Sequence, residues 1–216
     1  MSARDNILGR IRTALGRKDA LNERQTVNMR TKLRTHPRGP QPAMNWDLLE
    51  RFKERCKVLS TTVDEVQGST EVPGALARYL TERALPTTGV CWQEFASLPW
   101  QGAGLSIEAR PAIGEDKLGV TGTFCAVAET GTLMLLSGAQ THPATSLLPE
   151  THVAIVPVSR IVRSMEDGWD LLRKEKGELP RQVAFVSGPS RTADIELTLV
   201  LGIHGPTRVH VVLVQS

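Results

Sequence analysis

The sequence predicts an α/β protein built on an open, mostly parallel sheet with crossover helices. Short apolar runs rich in β-branched residues, such as 153–158 and 209–214, alternate with segments whose apolar residues recur at helical spacing. This alternation is typical of layered α/β domains with parallel strands. The chain has 216 residues, 40% of them hydrophobic and 23% charged, which suits one such domain with a sizeable core and an appendage.

The first 43 residues are predicted to form that appendage, and residues 44–216 the domain. Ser2 and Asp5 match a capping box. Apolar residues at four-residue spacing follow and predict a short amphipathic helix that ends near Gly16. Residues 17–43 are polar and basic and close with several prolines, so an extended or mobile connector is expected there.

Within the domain, periodicity predicts three helices and seven strands. The helices cover residues 47–57, 73–84 and about 161–177, and the strands cover residues 58–63, 89–92, 120–127, 132–136, 153–158, 183–186 and 209–214. Residues 195–203 fit either a strand or a helix. We expect a helix, because Ser190 or Thr192 can cap it and Gly205-Pro206 can end it.

Composition restricts the location and the cofactors. The N-terminus carries charges where a secretory signal needs an apolar stretch, and no apolar run approaches the roughly 20 residues of a membrane helix. A cytoplasmic protein without a membrane span is therefore expected. The three cysteines lie more than thirty residues apart and match no disulfide, zinc or cluster pattern, so we expect buried thiols and no directly bound cofactor.

The charge distribution is uneven. Residues 1–40 hold ten Lys and Arg against three Asp and Glu, a net charge of +7, which leaves −4 for residues 41–216 out of the total of +3. A basic arm of this kind can touch nucleic acid. It has no interleaved aromatic residues and no DNA-reading motif, however, so a docking arm for an acidic partner or a solvated surface is the better interpretation.

The first segment with candidate chemistry is 119–132, where polar residues fall between two apolar runs. Glu129 is placed where a strand should end, which is where open α/β sheets bind ligands, and Gly131 allows a tight turn or a close approach to a ligand. Thr121, Thr130 and Thr132 supply hydroxyls. A turn whose hydroxyls satisfy its own backbone explains the pattern about equally well.

The second segment is 186–196, where a strand leads into a Gly/Ser/Thr-rich turn and the expected helix. Free N–H groups at a helix start attract anions. The residues available to such an anion or to an interface are Gly188, Ser190, Arg191, Thr192, Asp194 and Glu196. The spacing matches neither the dinucleotide nor the Walker fingerprint. Capping of the helix by the two acidic residues, paired with the arginine, is the structural alternative.

His204 is expected near the end of that helix, where it can carry protons or, more simply, cap the last carbonyls. His142 and His152 flank a proline-bounded loop that is a plausible binding loop. Neither has partners at metal-ligand spacing, so no metal site is predicted.

Three long motifs resemble one known family. GVTGTFCAVAETGTLMLLSG at 119–138, SLLPETHVAIVP at 146–157 and FVSGPSRTADIELTLVLGIHGP at 185–206 are similar to LUD-domain proteins of the single-domain lactate utilization C type, also called the YkgG type. The resemblance covers roughly residues 44–216. It implies a fold like that of the sugar-isomerase and CoA-transferase (NagB/RpiA/CoA-transferase-like) superfamily.

The resemblance also implies a function. It suggests an accessory subunit in the oxidation of L-lactate to pyruvate, acting with two iron–sulfur proteins of the same operon that carry the clusters. A small carboxylate ligand and a homo-oligomer are compatible with it. The alternative is a stand-alone small-anion or acyl-transfer enzyme, in which Glu129 acts as nucleophile or base, as a carboxylate does near this position in superfamily relatives.

Overall fold

The protein is described by a computed structural model that covers residues 2–16, 21–195 and 198–215. The chain divides into two compact units, residues 1–42 and 43–216. The first unit contains helix α1 (Ala3–Ala14), which begins with the predicted capping box of Ser2 and Asp5.

The segment expected to be extended contains a second helix, α2 (Glu23–Thr35). It begins with a capping box formed by Asn22 and Gln25 and ends at His36, which adopts the left-handed conformation. The side chains of Asn22 and Gln25 accept hydrogen bonds from backbone N–H groups at the start of the helix, which would otherwise have only water as a partner. Residues 17–20 of the expected connector lie outside the described residues.

The second unit contains the α/β domain. Its helices are α3 (Leu48–Val58), α4 (Val72–Glu82), α5 (Ala144–Leu147) and α6 (Met165–Lys176). Its strands are β1 (Thr62–Val66), β2 (Thr88–Cys91), β3 (Ser106–Ala109), β4 (Leu118–Thr121), β5 (Cys125–Val127), β6 (Thr132–Leu136), β7 (Thr151–Pro157), β8 (Ile161–Val162), β9 (Val183–Val186), β10 (Arg191–Ile195), β11 (Thr198–Leu201) and β12 (Arg208–Val214).

Six strands form the central sheet, in the order β1-β12-β7-β4-β2-β3, and every pair in it is parallel. The predicted fold class is therefore confirmed. A second, smaller sheet has the order β8-β5-β6-β9 and contains antiparallel pairs. Strands β10 and β11 form a separate antiparallel hairpin.

The core lies in three layers. On one face of the central sheet, β-strand valines pack against Leu76 and Leu80 of α4. On the other face, the sheet packs against α3, through Phe52, and against the second sheet, through Leu133. Helix α6 covers the outer side of the second sheet, where Leu172 is buried. Because both faces of the central sheet are covered, its inner strands β7 and β12 are buried and largely apolar, as is typical of parallel sheets, whereas the edge strands β1 and β3 carry polar residues.

The expected strand over 120–127 is in fact two strands. Strand β4 belongs to the central sheet and β5 to the second sheet, and Gly122, Thr123 and Phe124 connect them. A continuous apolar run does not show where a chain leaves one sheet for another, so periodicity could not place this break. Similarly, the strand expected at 58–63 begins only at Thr62, because helix α3 continues to Val58.

The helix expected over 195–203 is wrong, because this segment belongs to the β10–β11 hairpin. The sequence is rich in Thr, Ile and Val, which favour strands, and β-branched residues lose side-chain freedom in a helix. Gly188 and Gly202, both with positive φ, bracket the hairpin and turn the chain into and out of it. Residues 196–197, between the two strands, lie outside the described part of the chain.

Across the ranges that the structure describes, no helix is both long enough and apolar enough to cross a bilayer.

Candidate functional site

A cleft lies at the carboxyl ends of β2 and β4, two neighbours in the central sheet. The chain leaves these strands in opposite directions: β2 leads outward to β3, and β4 leads through the second sheet to β7 on its other side. In open α/β sheets the crevice created by such a reversal is the usual position of a ligand site. Trp92 follows β2, and Thr123 and Phe124 follow β4, so both strands contribute to its walls.

The cleft has a volume of about 460 Å³, which suits a small molecule. Its remaining walls come from the end of β6 and from the chain that follows α6. The lining residues are Trp92, Glu94, Thr123, Phe124, Leu136, Ser137, Gly138, Thr141, Lys176, Glu178, Leu179 and Pro180.

Glu94 is the acidic group at the base of this cleft. Its carboxylate lies so close to Gly122 that a Cβ atom at that position would collide with Oε1. Although the residue as a whole is exposed, partial burial of the carboxyl group raises its pKa above the ordinary value. A carboxylate with a raised pKa is a better proton acceptor than a freely solvated one.

Trp92 fixes the opposite wall. Its side chain is buried, and its indole Nε1 donates a hydrogen bond of 3.1 Å to the carbonyl oxygen of His142. The Thr141 hydroxyl donates to the carbonyl of Leu136 at 2.9 Å. These two bonds hold the 138–142 loop beside the cleft. The proline-bounded loop after His142 is thus joined to the wall of the cleft by the hydrogen bond between the His142 carbonyl and Trp92.

At the rim, Lys176 and Glu178 are exposed and contribute opposite charges. The cleft therefore combines an ammonium group that can pair with a ligand carboxylate and a partly buried carboxyl group that can exchange a proton. This combination suits a small hydroxy acid or keto acid.

The two segments singled out in the sequence meet elsewhere, through a chain of hydroxyl groups. Thr130 Oγ1 lies 2.8 Å from Thr132 Oγ1, which in turn lies 2.7 Å from Ser187 Oγ. Thr132 is fully buried. Thr132 and Ser187 are 55 residues apart in the chain, so their spacing in the sequence does not show that the two segments are neighbours.

Both predicted glycines pack tightly against the end of α3. A Cβ atom on Gly131 would lie 2.8 Å from Arg55 Cβ, and one on Gly188 would lie 2.6 Å from the Leu59 carbonyl oxygen. Arg191 reaches the same place, because its Nη2 donates to the Leu59 carbonyl at 3.2 Å and to Ser60 Oγ at 2.6 Å. The guanidinium therefore satisfies a carbonyl at the carboxyl end of a helix.

The helix start on which the expected anion site relied is wrong, because the described residues that follow Ser190 form strand β10. The Ser190 N–H donates to the Pro206 carbonyl, and its own carbonyl accepts from Gly202, so this backbone joins the hairpin to the chain before β12. Thr192 and Asp194 lie on β10, and Glu196 lies outside the described residues. His204 lies in the loop after β11 and not at a helix end.

Thr121 is separated from the other predicted residues. It is buried on β4 and shares a hydrogen bond of 2.8 Å with His152 Nε2. His152 is itself fully buried, and desolvation lowers its pKa to about 4, so it is neutral at physiological pH. Its Nδ1 has no hydrogen-bond partner in the described part of the structure.

Glu129 lies in the turn between β5 and β6, half-buried, with its N–H bonded to the Arg163 carbonyl. It does not line the cleft. Cys125 is buried beneath α6, where its Sγ lies 3.5 Å from Met134 Sδ.

All three cysteines are free and buried, as predicted. Desolvation raises the pKa of the Cys56 thiol to about 12 and the pKa values of the Cys91 and Cys125 thiols to about 11. Within the described ranges, no group of three or more His, Cys, Asp or Glu residues is arranged to hold a metal ion.

The cleft was missed from the sequence because its residues come from four distant segments. Glu94 falls in a stretch whose prolines and glycines obscure any period, and nothing in its neighbours marks it as functional. The available signal is indirect: a Trp-x-Glu sequence directly after a buried strand, and a Gly-Thr sequence directly after another.

Comparisons with known proteins agree with this fold. A family model described as the LUD domain matches residues 93–214. A protein named lactate utilization protein C from Deinococcus radiodurans is 30% identical over 184 residues, covering 81% of this chain and 83% of that protein. Another of that name from Shouchella clausii is 28% identical and covers 99% and 98%.

A further relative, lactate utilization protein C 1 from Bacillus mycoides, is 44% identical over 102 residues, but the match covers 46% of this chain and 44% of that protein. Among solved structures, a DUF162-family protein from Deinococcus radiodurans aligns with a TM-score of 0.59 over 80% of this chain and 99% of the other. At 23% sequence identity, this likeness establishes a shared fold.

Proposed function

Because the chain belongs to the LUD-domain family, we propose that it takes part in lactate utilization, as an accessory subunit of an L-lactate oxidation system. Relatives that align over nearly their whole length carry the name lactate utilization protein C. In this proposal the chain acts with two iron–sulfur proteins. Those partners carry the clusters that receive the two electrons released when lactate becomes pyruvate.

The observation that carries the proposal is the cleft at the carboxyl ends of β2 and β4. It is placed where α/β sheets bind ligands, and it combines the Lys176 ammonium with the Glu94 carboxyl group. In the proposed complex, Lys176 pairs with the carboxylate of lactate or pyruvate. Glu94, whose pKa is raised by partial burial, accepts the proton of the 2-hydroxyl group. The C2–H bond breaks as the carbonyl forms, its two electrons passing to the partners' clusters and its hydrogen leaving as the second proton.

Binding can be tested directly with the purified protein. Trp92 lines the cleft, so we expect pyruvate and L-lactate to change the tryptophan fluorescence in a saturable manner, and Trp92→Phe to remove most of that change. Glu94→Gln should weaken binding or remove its pH dependence. Glu178→Gln is the matched control, because it removes the same charge at the exposed rim. Equal binding by wild-type protein and Glu94→Gln at every pH would refute the role of Glu94.

The accessory role needs a second experiment. The rate of lactate oxidation by the two iron–sulfur proteins is measured with and without this chain, and complex formation is followed by size-exclusion chromatography. We expect the rate to depend on this chain and a complex to form. An equal rate without it would contradict the accessory role, even if the cleft binds pyruvate.

The alternative of a stand-alone acyl-transfer or small-anion enzyme is distinguished by Glu129. Glu129 directly precedes Thr130, where the hydroxyl chain begins, and among the described residues its carboxylate has no side-chain partner. If this enzyme reading is correct, Glu129→Gln abolishes growth on L-lactate while Glu94→Gln does not. The accessory-subunit proposal predicts that Glu94→Gln impairs growth on L-lactate more than Glu129→Gln does.

A further inference from the structure

A second concave surface, distinct from the cleft, lies along the edge strand β1. We name it the β1 groove. It has a volume of about 580 Å³ and shares no lining residue with the cleft. Its lining residues are Lys53, Lys57, Thr61, Thr62, Val63, Asp64, Glu65, Arg78, Tyr79, Glu82, Arg83 and His210. Helices α3 and α4 supply its cationic side chains.

The floor of the groove is a stack of three side chains. Tyr79 and His210 have ring centroids 3.9 Å apart at an interplanar angle of 14°, and the Arg83 guanidinium lies 4.4 Å above the Tyr79 ring. Both rings are buried, whereas Arg83 is exposed. The stack holds Arg83 in place and reduces the entropy that it would lose on binding a ligand.

His210 presents a buried polar atom without a partner. Its Nδ1 shares a hydrogen bond of 2.9 Å with Thr62 Oγ1, whereas its Nε2 is buried and has no hydrogen-bond partner in the described residues. Desolvation and, next, the positive charge of Arg83 lower the pKa of His210 to about 3, so the ring is neutral. The unpartnered Nε2 is a donor in the tautomer in which the Thr62 hydroxyl donates to Nδ1, which is the tautomer that an anion in the groove would select. Buried polar atoms are rarely left without a partner.

The groove carries side chains of both charges. Asp64 and Glu65 belong to the carboxyl half of β1, and Lys53 is bonded to Glu65 at 2.8 Å and to Glu50 at 2.6 Å. Glu82 lies 3.5 Å from Arg83.

Lys57 and Arg78 also line the groove, and neither has an ion-pair partner within the described ranges. The groove thus brings together these two cations, the stacked Arg83 and the buried His210 ring.

From this arrangement we propose that the β1 groove binds a small phosphate-bearing anion, whose phosphate group lies between Lys57, Arg78 and His210. A phosphate offers several acceptor oxygens and about two negative charges, which matches separate donors arriving from two helices and a strand. A single carboxylate can engage only part of this set. The volume leaves room for a group larger than inorganic phosphate.

The test uses the full chain with inorganic phosphate, pyrophosphate and L-lactate as probes in isothermal titration calorimetry. We expect saturable binding of pyrophosphate, weaker binding of phosphate, and no lactate binding that depends on this groove. Lys57→Ala/Arg78→Ala should weaken pyrophosphate binding by roughly tenfold or more. The matched control, Arg24→Ala/Lys174→Ala, removes two exposed positive charges outside the groove and should bind as wild type does.

A second readout reports the location of the ligand. Ring ¹⁵N resonances of His210, assigned by their loss in His210→Gln, should shift when pyrophosphate is added to the wild-type protein. The proposal is overturned if pyrophosphate does not bind, if both double variants lose affinity equally, or if the His210 resonances do not respond. Because the cleft is lined by other residues, pyruvate binding there should be unchanged in Lys57→Ala/Arg78→Ala.

Discussion

Replacing Gly131 with alanine should destabilise the domain far more than the same change at an unconstrained turn. Gly131 has φ +69°, and a Cβ there would lie 2.8 Å from Arg55 Cβ and 3.0 Å from the backbone of α3. The left-handed backbone costs alanine about 1–2 kcal/mol. Forcing a methyl group against a helix backbone adds about 1–3 kcal/mol. Together these give a loss of roughly 2–5 kcal/mol in the free energy of unfolding.

Gly104 provides the control. It is also left-handed, with φ +75°, but a Cβ there would meet nothing within 4 Å, so Gly104→Ala should lose only about 1–2 kcal/mol. Both changes lower the entropy of the unfolded chain equally, so this effect cancels in the comparison. Urea unfolding followed by circular dichroism measures both. Equal losses would refute the inference that Gly131 is required by close packing on α3.

Three further changes test buried polar groups. His152 has a pKa of about 4 in the folded protein, against about 6.5 for a solvated imidazole in the unfolded chain, so the folded state binds fewer protons and stability falls as the pH drops through this window. Between pH 7 and 4.5, urea unfolding should show a loss about 2 kcal/mol smaller in His152→Gln than in wild type. Cys125→Ser should lower stability by about 1–3 kcal/mol, because a hydroxyl replaces a thiol beside Met134, yet it should leave growth on L-lactate intact. Thr132→Val should cost about 0.5–1.5 kcal/mol in thermal or urea unfolding, because it removes the hydrogen bonds of a buried hydroxyl while the exposed Ser187 can bond to water instead.

Each of these expectations has a contrary result. Parallel pH profiles for wild type and His152→Gln would show that burial of this imidazole does not penalise its charged form. Loss of growth from a folded Cys125→Ser protein would give that thiol a role beyond packing. Unchanged stability of Thr132→Val would mean that the hydroxyl chain exchanges freely with water.

Local chemistry in the sequence determined several elements. Ser2 and Asp5 specified the first helix by their capping box, and the buried runs at 153–158 and 209–214 specified central parallel strands, because burial on both faces requires continuous apolar residues. The three motifs specified the family. Local signals failed at 195–203, where helical and strand periods overlap and pairing within a hairpin decided the outcome.

Only the tertiary structure decided which polar residues share a site. Strand order places the ends of β2 and β4 side by side and so creates the cleft around Glu94, although no spacing along the chain marks that residue. The tertiary structure also shows that Arg191 donates to the Leu59 carbonyl at the end of α3 and that Gly131 packs against the surface of the same helix. The physical reason is that periodicity records which side chains are buried, whereas the partner of a buried or polar group depends on contacts between segments far apart in the chain.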